Sequence, residues 1–429
     1  APHAADSGYN GVVRHHSRII IPSMSYFKKT ISGFFWTSAL SGSIRVLSFA
    51  KIALLARLLL PSQFGEFAVV GMVLAFLEII TETGINVFLI QEKDSLAKYI
   101  DTAWVVSILR GVVVCALMVV ASGPVAGFFQ MPAVRPLIML AGLIPFLRGF
   151  INPACVKFQK ELRFSKEFWY RFSIVTVEIS LTAVLAIMTK SAVSLVWGLV
   201  GSAVFETLVS WMFINPRPQP RLEYGQIKTV LSRGKWVTGY GLFDYVFTTV
   251  DNVVVGRLLG SSALGLYQNA YKLSLLPGTQ VSDIYYKTTT PVYVKMHEEQ
   301  KSLARAVTIG TSGLAAIQVV VGLAIYLLAD PLVRLALGPN WLAAIPVVKI
   351  LAILSAVRGA AMSFNSLFVA LQKQKYVAIM SGVSMLVMVG LIVPAVRQAG
   401  LSGAAWAAVI AATIAMPLTG YFAAKIGRL

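Results

Sequence analysis

The stretch WTSALSGSIRVLSFAKIALLARLLLPSQFGEF, residues 36–67, decides how the chain must be read. It is an apolar helix long enough to cross a bilayer, at about 1.5 Å per residue against roughly 30 Å of hydrocarbon. Yet it carries Arg45, Lys51 and Arg57. A charge near the middle of a membrane helix costs about 2.5–3.5 kcal/mol on insertion scales, so such side chains face a bundle interior or a wet cavity. The stretch also recurs. With a shift of 200 residues and no gap, Trp36 falls on Trp236, Arg57-Leu58-Leu59 on Arg257-Leu258-Leu259, Ser62 on Ser262 and Gly65 on Gly265, while Phe67 meets Tyr267.

The rest of the chain has the same character. Hydrophobic residues make up 57% and charged residues 13%, with a mean hydropathy of +0.75, far from the balance of a water-soluble domain. Runs of roughly twenty apolar residues follow one another from Ile31 onward, the mark of an all-α polytopic membrane protein. A β-barrel would instead show alternating segments of about ten residues. Twelve spans are expected, at about 31–60, 64–90, 99–128, 133–156, 167–189, 192–214, 230–259, 263–293, 305–329, 342–371, 375–396 and 401–425. The connections are short and hold no soluble domain.

Residues 1–30 read as a leader, disordered or interfacial, without the apolar core of a signal peptide. Residues 31–214 then form one lobe of six helices and residues 230–429 a second, joined by a polar, proline-spaced linker at 215–229. Six spans per lobe set both lobes the same way up, related by a pseudo-two-fold axis along the membrane normal. A second match supports the duplication: at a shift of 210, Pro136 meets Pro346, Arg148-Gly149 meets Arg358-Gly359, and Phe158 meets Phe368.

The net charge of +19 is a question of where the cations sit. One set of connections is rich in them, including Lys157, Lys160, Arg163 and Lys166, then Arg217, Arg221, Lys228 and Arg233, then Lys373 and Lys375. The alternate connections hold about one each: Arg135, Lys190, Arg334 and Arg397. By the positive-inside rule both termini are cytoplasmic, and the excess charge meets anionic lipid headgroups rather than nucleic acid. Cys115 and Cys155 lie in apolar runs and read as small core residues. A P-loop is missing, and so is a histidine within any span, which leaves no nucleotide-hydrolysing or histidine-based chemistry. The reading is a non-enzyme, with no cofactor and no metal site.

Asp244 and Asp251 lie on one stripe of the seventh span, with Asn252 beside them. The repeat partner of Asp251 is Lys51, and Tyr245, next to Asp244, aligns with Arg45. The first helix of one lobe is therefore basic where that of the other is acidic. Facing each other across a cleft, Arg45 and Lys51 would bind a phosphate or pair with Asp244 and Asp251 when the cleft is empty. The competing account gives each charge a fixed partner in its own lobe. Arg148 and Arg358 join the candidate cavity, or their Arg-Gly steps serve helix packing. Glu78 and Glu82, one turn apart in the second span, pair with arginines or take part in ion coupling, as could Asp251. Glu178 and Glu206 have no assignment. Arg57 and Arg257 read as structural corners reaching headgroups or helix C-terminal carbonyls. Pro145, Pro153, Pro277, Pro394 and Pro417 interrupt spans, as hinges or static kinks.

The pattern TISGFFW at 30–36, LLARLLLPSQFG at 54–65, TETGI at 81–85 and IQEKD at 90–94, with VVGRLLG at 254–260 and ALGLYQNAY at 263–271, resembles the polysaccharide transporter family. These are the Wzx-type flippases and exopolysaccharide exporters of the multidrug/oligosaccharidyl-lipid/polysaccharide superfamily. Several members carry two further C-terminal helices. The resemblance implies a V-shaped pair of six-helix lobes that moves oligosaccharide units linked to undecaprenyl diphosphate across the bacterial inner membrane, for O-antigen, capsule or exopolysaccharide. It implies membrane lipids, a polymerase and a chain-length regulator as partners, with Na+ or H+ as a coupling ion to be established. A cation-coupled drug antiporter of the same superfamily, which would want an acidic cavity, is the alternative in transport. A non-transporting scaffold of a polysaccharide assembly complex is the alternative outside it.

Overall fold

The computed structural model describes residues 24–91, 98–223, 235–299 and 303–427. The expected leader up to residue 23 and the linker beyond residue 223 lie outside that set, as do the side chains of Asp244 and Tyr240. All described secondary structure is helical, and eight helices are long and apolar enough to cross a membrane. The first half holds α1 (Met24–Leu58), α2 (Pro61–Ile80), short α3 (Ile85–Gln91), α4 (Ile100–Phe129), α5 (Val134–Ala141), α6 (Leu143–Gly149), α7 (Lys157–Lys160), α8 (Phe164–Thr189) and α9 (Val193–Phe213). The second holds α10 (Lys235–Glu298), α11 (Leu303–Leu327), α12 (Ala329–Ala336), α13 (Ile345–Ala370) and α14 (Gln374–Gly427).

Two of the expected spans differ in form. The second stops at Ile80, ten residues early, because Thr81 turns its hydroxyl back onto the Leu77 carbonyl (2.7 Å) and Gly84 takes a left-handed φ of 66°. The fourth is broken: the segments on either side of residues 150–152 bend by 71°. There Asn152 leaves the helix, accepts from the Ala154 amide (3.0 Å) and donates to the Ile214 and Pro216 carbonyls, while Pro153 has no amide to continue the ladder. The seventh and eighth are the two arms of α10, divided at Gly260, whose φ of 84° suits a residue without Cβ. α10 is not among the apolar helices; Asp251, Asn252, Arg257, Lys272 and Asp283 are why. α14 divides likewise at Ala399–Gly400. Helical angles run straight through Pro277, Pro394 and Pro417, so these prolines do not interrupt their spans as expected.

The cores explain the shape. One large core runs through both halves where α1 ends and α2 begins, joining Leu55, Leu59, Phe64 and Val69 to Val255, Leu264, Tyr267, Trp341 and Val348. At the opposite end, flanked by the Lys/Arg-rich connections, each half keeps its own small core. Phe88, Leu89, Ile100 and Ile214 form one; Tyr293, Val307, Phe368 and Met380 form the other. The halves are thus one body at one end and two at the other.

What fuses them is the repeated motif itself. A Cβ built on Gly65 would lie 1.8 Å from the Ser261 carbonyl oxygen, and one on Gly265 would lie 1.9 Å from the Pro61 oxygen. Ser261 and Pro61 are also repeat mates, so the crossing is its own two-fold counterpart. Around it, fully buried Trp341 donates its indole N–H to the Ala56 carbonyl (2.8 Å) and meets Phe64 edge-on. Arg57 donates to the Leu335 carbonyl (2.7 Å) in the last turn of α12, and Arg257 sits over the Phe128 ring (5.7 Å). The two corner arginines therefore serve the joint between halves.

Candidate functional site

Below the shared core the pseudo-two-fold axis relates two seams between the halves. Along one, α2 meets the first arm of α10: the Tyr245 hydroxyl donates to the Met72 carbonyl (2.6 Å), and its ring pairs with Phe76 (5.9 Å). Shifted by 200 residues, Tyr245 and Met72 become Arg45 and Lys272, which lie on the other seam, between α1 and the second arm of α10. That seam stands open. Its bridge is the ion pair of Arg45 with Asp283 (3.2 Å), half exposed on both sides. Lys272 is exposed, has no ion-pair partner among the described residues, and lies within electrostatic reach of Lys51. Two cations stand where the closed seam has an uncharged hydrogen bond.

The open seam leaves α1 leaning on α8. Lys51 pairs with Glu178 (2.5 Å) and Trp36 packs on Phe168 (5.2 Å between ring centres). This corrects the expectation that Arg45 and Lys51 would pair with Asp251; the Asp244 side chain lies outside the described residues. Among the described residues, the carboxylate paired with Lys51 belongs to α8, and the one reached across the gap is Asp283.

Asp251 is buried in its own half instead. Its carboxylate accepts from the Tyr267 hydroxyl (3.1 Å) and from the Asn252 side chain (2.9 Å). Arg358 supplies the compensating charge, donating to the Tyr271 hydroxyl and stacking over that ring. A lone buried carboxylate would be prohibitively costly, so this arrangement holds α10 and α13 together. The Asn252 side-chain oxygen has no hydrogen-bond partner among the described residues.

Arg148, Glu78 and Glu82 belong to a third place. In the first half, a cavity of about 410 Å³ is lined by Glu78, Arg110, Arg148, Tyr170, Arg171 and Glu206, and a second of about 370 Å³ beside Gly241 shares Glu78 and Arg110 with it. Arg148 faces Glu78 at 3.9 Å, and Arg110 binds Glu82 (3.3 Å) together with the Glu78 carbonyl (2.8 Å). Glu82 sits in the turn after α2, not in a span, and accepts from the Gly84 amide (2.9 Å). The Arg-Gly steps do pack helices. A Cβ on Gly149 would approach the Ser107 oxygen to 2.9 Å, and one on Gly359 would strike Gln318, so α4–α6 and α11–α13 are equivalent close crossings. Packing and cavity go together here, because the same crossing brings Arg110 beside Arg148.

The expected single cluster is therefore three: Arg45 and Lys51 at the open seam, Arg148 with Glu78 and Glu82 in the first half, and Asp251, Asn252 and Arg358 inside the second. Lys272, Asp283 and Arg110 escaped the sequence reading. Their signals were present. Lys272 and Asp283 are charges within an apolar run, and Arg110 heads an Arg-Gly step like those of Arg148 and Arg358.

Comparison with known proteins adds the context. Residues 54–346 match the family model described as polysaccharide biosynthesis protein. The chain is 25% identical over 349 residues to the lipopolysaccharide biosynthesis protein WzxC of Escherichia coli (strain K12), covering 81% of this chain and 71% of that one. Among solved structures, the lipid II flippase MurJ in its inward closed conformation superposes with a TM-score of 0.70 at 12% identity, over 90% of this chain and 86% of that one. An inward-facing multidrug resistance MATE family transporter of the MOP superfamily gives 0.67 at 16% identity, over 90% and 94%. The fold is the one these transporters share, an all-helical, multi-pass bundle.

Proposed function

We propose that this chain, which belongs to the polysaccharide biosynthesis protein family, carries lipid-linked oligosaccharide units across a bacterial inner membrane by alternating access. The cargo is an oligosaccharide on undecaprenyl diphosphate. The observation that carries the reading is the inequality of the two seams. Arg45, Lys51 and Lys272 stand along a seam held by a half-exposed ion pair, while its mate is closed by Tyr245 and Met72. A diphosphate entering there meets cations, and the polyprenyl chain stays in the lipid outside α1.

The steps follow from charge. The headgroup's phosphates compete with Asp283 for Arg45 and bridge to Lys272, removing the repulsion that holds α1 and the second arm apart. Drawing that seam together levers on the Gly65–Gly265 crossing and opens the opposite end. The Lys/Arg-rich end is cytoplasmic, as are both termini, so transfer runs outward. The work is binding and rocking, with no bond made or broken. For coupling to H+ or Na+, Glu78 is the better placed carboxylate, since its pair with Arg148 is long (3.9 Å). Asp251 is already matched by Arg358 and Tyr267. Export of cationic drugs would want carboxylates where Arg45 and Lys272 stand, and a scaffold would need no charged opening.

The test is flux of a fluorescent undecaprenyl-diphosphate oligosaccharide in proteoliposomes. Arg45→Gln with Lys272→Gln is expected to lower it at least tenfold. Undiminished flux in that variant would remove the seam as the site. Absence of flux in the unaltered chain would favour the scaffold.

A further inference from the structure

We infer that a groove on the outer face of the first half, between the start of α1 and the hairpin of α7 and α8, is a binding site for an acidic glycerophospholipid. The groove encloses about 790 Å³ and is lined at its mouth by Lys157, Arg163 and Lys166 and along its floor by Trp36, Trp169 and Phe213. The inference is independent of the transport reading, because none of the seam residues lines the groove.

The geometry is that of an interfacial anchor. Trp169 and Phe213 are 61% and 73% exposed, at the Lys/Arg-rich end of α8 and α9, where aromatic rings sit at headgroup depth. Trp36 packs on Phe168 (5.2 Å) and Phe168 on Trp169 (5.2 Å), so the floor is a joined aromatic surface rather than scattered side chains. Phe35 is 64% exposed at the start of α1, and an apolar wedge beyond the Trp36–Phe168 contact, lined by Trp169, Val209 and Phe213, lies open. Acyl chains fit that wedge.

The mouth is selective by charge. Arg163 is held by Glu161 (2.8 Å), while Lys157 touches a neutral group, the Asn215 carbonyl (2.9 Å), and Lys166 is exposed. Two ammonium groups with no carboxylate partner among the described residues, over an apolar floor, match a phosphodiester with a net negative charge. A zwitterionic headgroup would set its own cation against them. Since Lys157 also holds Asn215 at the start of the linker, the bound lipid would steady α1, α8 and the linker together.

The experiment uses the full chain in detergent, titrated with phosphatidylglycerol or phosphatidylcholine and read by native mass spectrometry and melting temperature. Phosphatidylglycerol is expected to stay bound and raise the melting temperature; phosphatidylcholine is not. Lys157→Gln with Lys166→Gln is expected to weaken phosphatidylglycerol binding roughly 30-fold. Lys166→Gln alone should give roughly a fifth of the affinity and leaves the Asn215 contact intact. Lys190→Gln, at the far end of α8, should change nothing. Equal retention of the two lipids, undiminished binding by the double variant, or a dimer by light scattering that protects Trp169 would each overturn the site.

Discussion

The two seams of this molecule are copies of each other, and they have come to opposite ends. Where α2 meets the first arm of α10, Tyr245 and Met72 are hydrogen bonded; where α1 faces the second arm, the same two positions are Arg45 and Lys272. Duplication preserved the backbone geometry, as the reciprocal contacts of Gly65 with Ser261 and Gly265 with Pro61 show. It did not preserve the charges. In the proposed function, this symmetric scaffold with asymmetric electrostatics has a closed side that serves as a fulcrum and an open side that waits for an anion.

The sharpest way to break this comparison is at the crossing both seams depend on. Gly265→Val places branched carbon where a Cβ already falls 1.9 Å from the Pro61 oxygen, so the helices must separate. Flux should fall by two orders of magnitude, with cysteines placed near Pro61 becoming reactive to impermeant reagents from the far side. Retained flux and an unreactive joint would show that the crossing is not the pivot.

Next in size is the buried charge that keeps the second half rigid. Arg358→Met strands Asp251 without its counter-charge and should cost about 3–5 kcal/mol of stability, read as a fall in melting temperature. Arg358→Met with Asp251→Asn should recover most of the loss. Failure of the pair to recover it would assign Asp251 a role beyond holding α10 to α13. The smallest effect is at the open seam itself. Asp283→Asn removes a half-exposed partner of Arg45 and should change stability by no more than about 1 kcal/mol. It should nevertheless raise affinity for a diphosphate-bearing lipid, because Arg45 is released; unchanged or weaker affinity would argue that Asp283 does not compete with the headgroup.

Much of the fold was legible because hydrophobic runs, glycines and the 200-residue repeat are properties of the chain taken one residue at a time. Gly65 and Gly265 were visible as a repeated pair before they were visible as a contact. Gly260 and Gly400 broke their helices while Pro277, Pro394 and Pro417 did not. A neighbouring helix can satisfy the carbonyl that proline frees, and sequence does not reveal the neighbour. The site was less legible. Lys51 and Asp251 are repeat mates of opposite sign, which suggested a pair across the gap, yet each found a nearer partner, Glu178 and Arg358.

By itself, then, the sequence determined that the chain is a duplicated bundle of membrane helices with charges inside its spans, since apolar length and internal repetition need no knowledge of packing. Only the tertiary structure decided which seam closes and which charge answers which. Ion pairing depends on distances of a few ångströms between helices far apart in the chain, and the lean of α1 toward α8 rather than α10 sets those distances.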